Sequence, residues 1–294
     1  MIHGVINIYK EKGYTSHDVV AKLRGILRQK KIGHTGTLDP DAEGVLPVCL
    51  GSGTRLCDML TDKDKTYHTV MLLGKETDTQ DISGTVLKEM PVTVTEEQIK
   101  AAAESFIGDY EQIPPMYSAL KVNGKKLYEL AREGKTIERE ARSVKILNLA
   151  IEEMDLPRVT MTVTCSKGTY IRTLCHDIGE KLGCGAAMES LLRTKVGRFT
   201  LDDAITLAQT EEAVQEGTIE SKILGIEEIL AEYPRVCCTK EGDRLLANGN
   251  PLVQALVDAQ EKNGWIRMCS SEGSFAGVYQ WDEKRNRYFP VKMF

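Results

Sequence analysis

The stretch GHTGTLDPDAEGVLPVCLGSGTR, residues 33–55, constrains this chain more than any other. Turn formers (Gly33, Gly36, Pro40, Gly44) surround one acid, Asp39, and the apolar run VLPVCL follows. Such a run reads as a buried strand, with glycine and proline punctuating the backbone before it. A carboxylate on a tight loop beside a rigid strand suits a reactive group better than a packing group. Aspartate before proline also opens ordinary turns, so the loop alone leaves both roles open.

Before the loop, HGVINIYK (3–10) alternates as a strand and turns at Lys12–Gly13. Ser16 is placed to cap a helix over 17–30, with Val19, Val20, Leu23, Ile26 and Leu27 at helical spacing. After the loop come a short helix in TRLCDMLTD and a strand over 65–74 opened by Lys65 and Tyr67. A turn-rich acidic segment leads to a short strand ending at Leu87, and Thr95 with Gln98 opens a helix over 96–107.

Residues 112–140 are irregular, with Pro114–Pro115, an Asn123–Gly124 turn and a short helix near 126–133. A long loop of this kind suggests a protruding functional insertion. Its tyrosines, Tyr117 and Tyr128, stand among lysines, which suits a stacked, charged ligand. Two strands follow at 141–154 and 158–168, then a loop and a helix ending at Gly183. AMESLLRTKVGRFTL reads as a short helix and a strand, and 201–234 as helical. From 233 onward, short strands with Gly and Asn turns hold both tryptophans and form a small all-β module.

The net charge of −5 argues against a polyanionic partner only on average. Residues 201–234 carry nine acids against Lys222 alone, a net of −8, which leaves the remainder at +3. KLRGILRQKK (22–31) has five bases and no acid, and 121–145 has eight bases against four acids. Segregated charge permits a polyanion on one face, although a lysine-rich face is usually just solvated. The eight cysteines form no C-x-x-C pair; around Cys175, His176 and Cys184 a zinc site is weaker than reduced, buried thiols. No apolar run approaches the roughly 20 residues that span a bilayer, and the N-terminus lacks a signal-peptide core. The expected setting is cytoplasmic.

Polar residues recur at strand ends: Asp39, Tyr67, and Tyr170 with Arg172. Asp39 can serve as nucleophile or base, with Arg172 favouring its ionised form. A tyrosine offers a flat face to a nucleobase and a phenol for proton handling. Taken singly, core tyrosines and a surface ion pair are the plainer explanation of these residues.

Five ordered blocks decide between those readings: HTGTLDPDAEGVLPVCLG, KTYHTVMLLGKETDT, PPMYSALKVNGKKLYELAREG, CSKGTYIRTLCHDIGEKLG and LLRTKVGRF. Together they resemble the signature blocks of bacterial tRNA pseudouridine synthases of the TruB class, which isomerise uridine 55 in the T-arm. The resemblance implies an α+β fold, with a mixed, mainly antiparallel central sheet and flanking helices and loops. A catalytic domain over 1–232 and a small C-terminal all-β PUA-like RNA-binding domain over 233–294 go with it, as does a thumb-like insertion at 114–142.

By the same resemblance Asp39 is the catalytic aspartate, and Tyr67 stacks on the target base. Tyr170 and Arg172 complete the pocket, His34 enters the gap left by the uridine, and Leu192 is an apolar wall. It further implies tRNA as partner, no cofactor, no metal, no obligate protein partner and a monomer. Two other readings stay open: an RNA-remodelling protein with modification secondary, and a ribonucleoprotein subunit guided by a separate RNA.

Overall fold

A computed structural model describes residues 1–122, 124–258 and 261–294. Its main element is a ten-stranded sheet. The path runs Ile223–Leu224, Gly4–Lys10, Glu43–Leu50, Ala186–Val196, Lys65–Leu73, Arg158–Cys165, Arg142–Asp155, Gly108–Gln112. Ile32–His34 and Phe199–Thr200 pair alongside that path. Its strand pairings are antiparallel with one exception: Leu192 and Arg193 run parallel to Glu43 and Gly44. That join brings the exit of the Asp39 loop against a strand from the far half of the chain.

Gly44 makes the join possible. Its φ is +105°, and a Cβ there would lie 2.2 Å from the Arg193 carbonyl oxygen. Gly44→Ala is therefore expected to destabilise the fold by at least about 2 kcal/mol. Urea unfolding of the purified variant checks this; an unchanged midpoint would contradict it.

Both faces of the sheet are covered. Alternation along Lys65–Leu73 turns Lys65, Tyr67, Thr69, Met71 and Leu73 inward. Tyr67, Met71 and Leu73 pack with Ile99 and Ala103 of helix Glu96–Glu104 and Leu174 and Ile178 of helix Ile171–Leu182. A second cluster seats Val19, Val20 and Leu23 of helix Ser16–Ile26 on Ile6, Ile8, Leu46 and Val48. Val5, Val45 and Cys49, of opposite parity in the same strands, meet Ile229 and Val278 instead. Through Val278 and the neighbouring Phe275 and Phe294, the C-terminal sheet docks on the main one.

That second sheet has five strands, in the order Arg235–Cys237, Trp265–Cys269, Phe275–Asp282, Arg287–Met293, Leu252–Val253. It is not purely β, because Asp243–Ala247 forms a short helix. Residues 113–141 form the insertion, whose ends are held by the Gln112–Arg142 pair. It carries a small hairpin (Lys121–Val122 with Lys125–Lys126) and the helix Leu127–Arg132. The turn expected at Asn123–Gly124 falls partly outside the described residues, because Asn123 is not among them. No helix is long and apolar enough to cross a membrane among the described residues, and the eight cysteines are free.

Two local expectations change. The first helix is capped by Thr15, whose side chain and Asp18 form a reciprocal capping box. Ser16 is buried instead and holds the Asp39 loop, as described below. Residues 186–196 form one continuous strand with no helix. Pairing along the length of Lys65–Leu73 overrides the helical propensity of Ala-Ala-Met-Glu, because local preference is weak beside tertiary pairing.

Candidate active site

Asp39 sits in a loop whose backbone is held from below. The Leu38 amide donates to Ser16 Oγ at 2.9 Å. The Lys10 ammonium donates to the carbonyls of Tyr14 (2.6 Å) and Pro40 (3.1 Å). The Gly13 amide also donates to the Pro40 carbonyl, at 2.9 Å. Lys10 is fully buried, and burial brings its ammonium down to about 8, against the opposing pull of Glu43, Asp39 and Asp41. Asp41 and Glu43, which have no obvious purpose in the sequence, thus offset a buried cation under the loop.

Arg172 grips the Asp39 carboxylate. It lies in the first turn of helix Ile171–Leu182 and is 5 % exposed. Its Nε stands 3.0 Å from Asp39 Oδ2 and its Nη2 3.4 Å from Oδ1, a two-point contact that fixes the carboxylate plane. The remaining guanidinium donors reach the Thr79 carbonyl and the Tyr117 carbonyl, both at 2.9 Å, and Asp81 Oδ2 at 3.5 Å. Asp81 is held in turn by Thr79 Oγ1 (2.7 Å) and the Ser83 amide (3.0 Å). One cation therefore serves two carboxylates.

Arg172 favours the ionised form of Asp39, as expected, but it is not the largest influence on that carboxyl. Burial is the largest influence and raises the Asp39 carboxyl above its ordinary value; Arg172 opposes the rise and Asp81 adds to it. A carboxylate with its pKa raised toward working pH is a stronger base than a surface aspartate.

Tyr67 stands on the central strand directly opposite Arg193, within the apolar cluster that includes Leu38 and Ala42. Only 8 % of it is exposed. Burial raises its phenol, with Arg193 the main opposing charge. Tyr170 caps the Arg172 helix and is half-buried, with Gln112 bonding both its amide (2.8 Å) and its carbonyl (3.0 Å). His34 ends the strand entering the loop; its Nδ1 accepts from the Gly36 amide at 3.3 Å, and its ring meets His17 edge-on at 5.1 Å. Burial lowers the His34 pKa, so it is neutral at pH 7.

Leu192 is the residue the geometry moves. It pairs with His68, of opposite parity to Tyr67, and so faces away from the pocket side of the sheet. Leu191 has the parity of Arg193 and packs against the cluster that contains Tyr67. Leu191, not Leu192, is therefore the leucine on the Tyr67 side of the sheet, because a one-residue change of register exchanges the faces.

Asp81 and Arg193 are the polar residues that sequence reasoning missed: Asp81 is one of several acids in a polar turn, and Arg193 lies within a segment of helical propensity. The grouping weighed around Cys175, His176 and Cys184 does not assemble among the described residues. His176 comes together instead with Asp177 and Glu180, and Asp177 already accepts from the Tyr110 hydroxyl. In the insertion, Lys126 and Arg132 lie over the Tyr128 ring at 5.2 and 5.4 Å.

Two family models cover the site. The TruB family pseudouridylate synthase N-terminal domain matches residues 24–171, and the tRNA pseudouridylate synthase B C-terminal domain matches 172–231. The chain belongs to the TruB family of pseudouridylate synthases. Among its TruB-family relatives, a tRNA pseudouridine synthase B of Lachnoclostridium phytofermentans is 53 % identical over 306 residues, covering both chains fully. One of Clostridium novyi is 46 % identical over 278 residues, covering 94 % of this chain and 95 % of that one. The TruB-family fold also resembles a chain of a Cbf5-Nop10-Gar1 complex, with a TM-score of 0.75 at 27 % identity. That match covers 99 % of this chain and 84 % of the other. A chain of an H/ACA RNP bound to a substrate RNA containing 2′-deoxyuridine gives a TM-score of 0.74 at 25 % identity, covering 99 % and 85 %.

Proposed function

We propose that this TruB-family enzyme converts uridine 55 in the T-arm of tRNA to pseudouridine, with Asp39 as the reacting acid. The observation that carries the reading is the two-point grip of buried Arg172 on Asp39, beside Tyr67. Isomerisation breaks N1–C1′, turns the uracil and forms C5–C1′; C5 loses a proton and N1 gains one. Nothing is oxidised and no group is taken up, so the reaction consumes no co-substrate. Asp39 serves equally for attack at C1′, attack at C6 or removal of the C2′ proton.

A base stacked in RNA has to be flipped out, at a cost of a few kcal/mol. Stacking on Tyr67, worth about 1–3 kcal/mol, offsets part of that cost, and phosphate contacts to the basic segments supply more. In this reading Tyr170 and Arg172 complete the pocket, Leu191 walls it, and neutral His34 fills the gap in the RNA. Residues 1–232 form the catalytic domain, 114–142 close on the T-arm as a thumb, and 233–294 bind RNA as a PUA-like domain. The enzyme acts in the cytoplasm as a monomer without an obligate protein partner.

The test maps pseudouridine in an unmodified tRNA transcript incubated with the purified protein and no added metal or nucleotide. The reading requires product at position 55, up to one per tRNA. Product confined to other uridines, or none with folded protein and folded tRNA, would overturn it.

A further inference from the structure

Arg193 is among the largest side chains in the molecule with essentially no exposure, at 2 %. Among the described residues it pairs with no carboxylate, unlike Arg172. Its Nε donates to the Val45 carbonyl at 2.7 Å and its Nη2 to the Gly36 carbonyl at 3.5 Å. An unpaired buried cation is costly, and its surroundings have to compensate fully. Here the compensation comes from groups on either side of the Asp39 loop: Gly36 precedes it and Val45 follows it. The third neighbour is Tyr67, directly across the strand pair.

We propose that Arg193 is a positioning residue for the isomerisation: anchored on the Gly36 and Val45 carbonyls at either side of the Asp39 loop, it holds the Tyr67 hydroxyl in register. A guanidinium carries donors and no acceptor, so toward the Tyr67 oxygen it can only donate. The phenolic proton is then directed to an acceptor elsewhere in the pocket, the flipped uracil or Asp39. The other groups acting on the phenol are Cys165 and Asp39, both of which disfavour its ionisation. Arg193 is the cation that offsets them. The parallel join of Glu43–Leu50 with Ala186–Val196, which puts Arg193 beside Gly44, sets the distance between Tyr67 and the loop.

This inference rests on the assignment of Tyr67 and Asp39 to the reacting pocket, and the test separates the two. Arg193→Lys, Tyr67→Phe and the double variant are compared in single-turnover and steady-state assays on a T-arm stem-loop RNA. Arg193→Lys keeps the buried charge but cannot span Gly36, Val45 and Tyr67 together. It is expected to lower kcat by at least about 30-fold while KM and RNA affinity change less than threefold. In the Tyr67→Phe background the same change is expected to cost less than threefold, because the hydroxyl it positions is gone.

An equal loss in both backgrounds, or an Arg193→Lys enzyme with normal kcat beside a slow Tyr67→Phe enzyme, would overturn the proposal. A Tyr67→Phe enzyme with normal kcat would instead overturn the pocket assignment beneath it. Circular dichroism and thermal melting accompany each variant. Failure of Arg193→Lys to fold would make Arg193 a core cation only, and that too would overturn it.

Discussion

Asp39→Asn is expected to lose pseudouridine formation by on the order of 10⁴-fold or more while binding a T-arm stem-loop within about threefold of wild type. Asparagine keeps the shape of the side chain but can act as neither nucleophile nor base. Arg172 still holds the Thr79 and Tyr117 carbonyls and Asp81, so the pocket keeps its form. Stability gives a second, opposite signal. The folded-state pKa of Asp39 is raised, so its contribution to stability is fully present below the unfolded value near 3.8 and is lost as pH rises through the folded pKa. At pH 7 the neutral variant should therefore melt at the wild-type temperature or above it. Retained turnover would remove Asp39 from the chemistry. An RNA-remodelling protein with modification secondary would show little change in its effect on tRNA folding.

Arg172→Ala is expected to cut kcat by about 10²–10³-fold, with RNA affinity much less affected. Its loss leaves Asp39 and Asp81 facing one another with the shared cation gone. Breaking a buried ion pair costs about 3–5 kcal/mol; with Asp39 still 41 % exposed, about 2–3 kcal/mol is the appropriate figure here. Arg172 is also the main influence holding the Asp39 pKa down. Without it that pKa rises, less of the acid is ionised at neutral pH, and the acid limb of the kcat profile moves to higher pH. Rates measured from pH 5 to 9 on a T-arm stem-loop check the sign. A fall in affinity by the same factor as turnover would reassign Arg172 to phosphate binding.

The Asp39 loop was legible because its chemistry is local: glycines, a proline and an acid within one turn, followed by an apolar run. The capping box at Thr95 and the αL glycine that ends the helix at Leu182 were legible for the same reason. What the sequence concealed depends on pairing between distant segments. Asp81 reads as one more acid in a polar turn until Arg172 is seen to reach it. Arg193 reads as a surface base until the parallel join buries it. The Leu191–Leu192 choice is a question of strand parity, and parity was hidden because the segment's own propensity favours helix. Ser16 shows the same limit: both it and Thr15 suit an N-cap, and only the Leu38 amide distinguishes them.

The most direct measurement is a structure of the Asp39→Asn protein bound to a T-arm stem-loop. Expected is a uridine turned out of its stack, its ring on Tyr67, and its C1′, C2′ or C6 within about 3.5 Å of the residue-39 side chain. A uridine still stacked in the RNA, or a nucleoside seated well beyond contact with residue 39 while Arg172 grips phosphate, would contradict this.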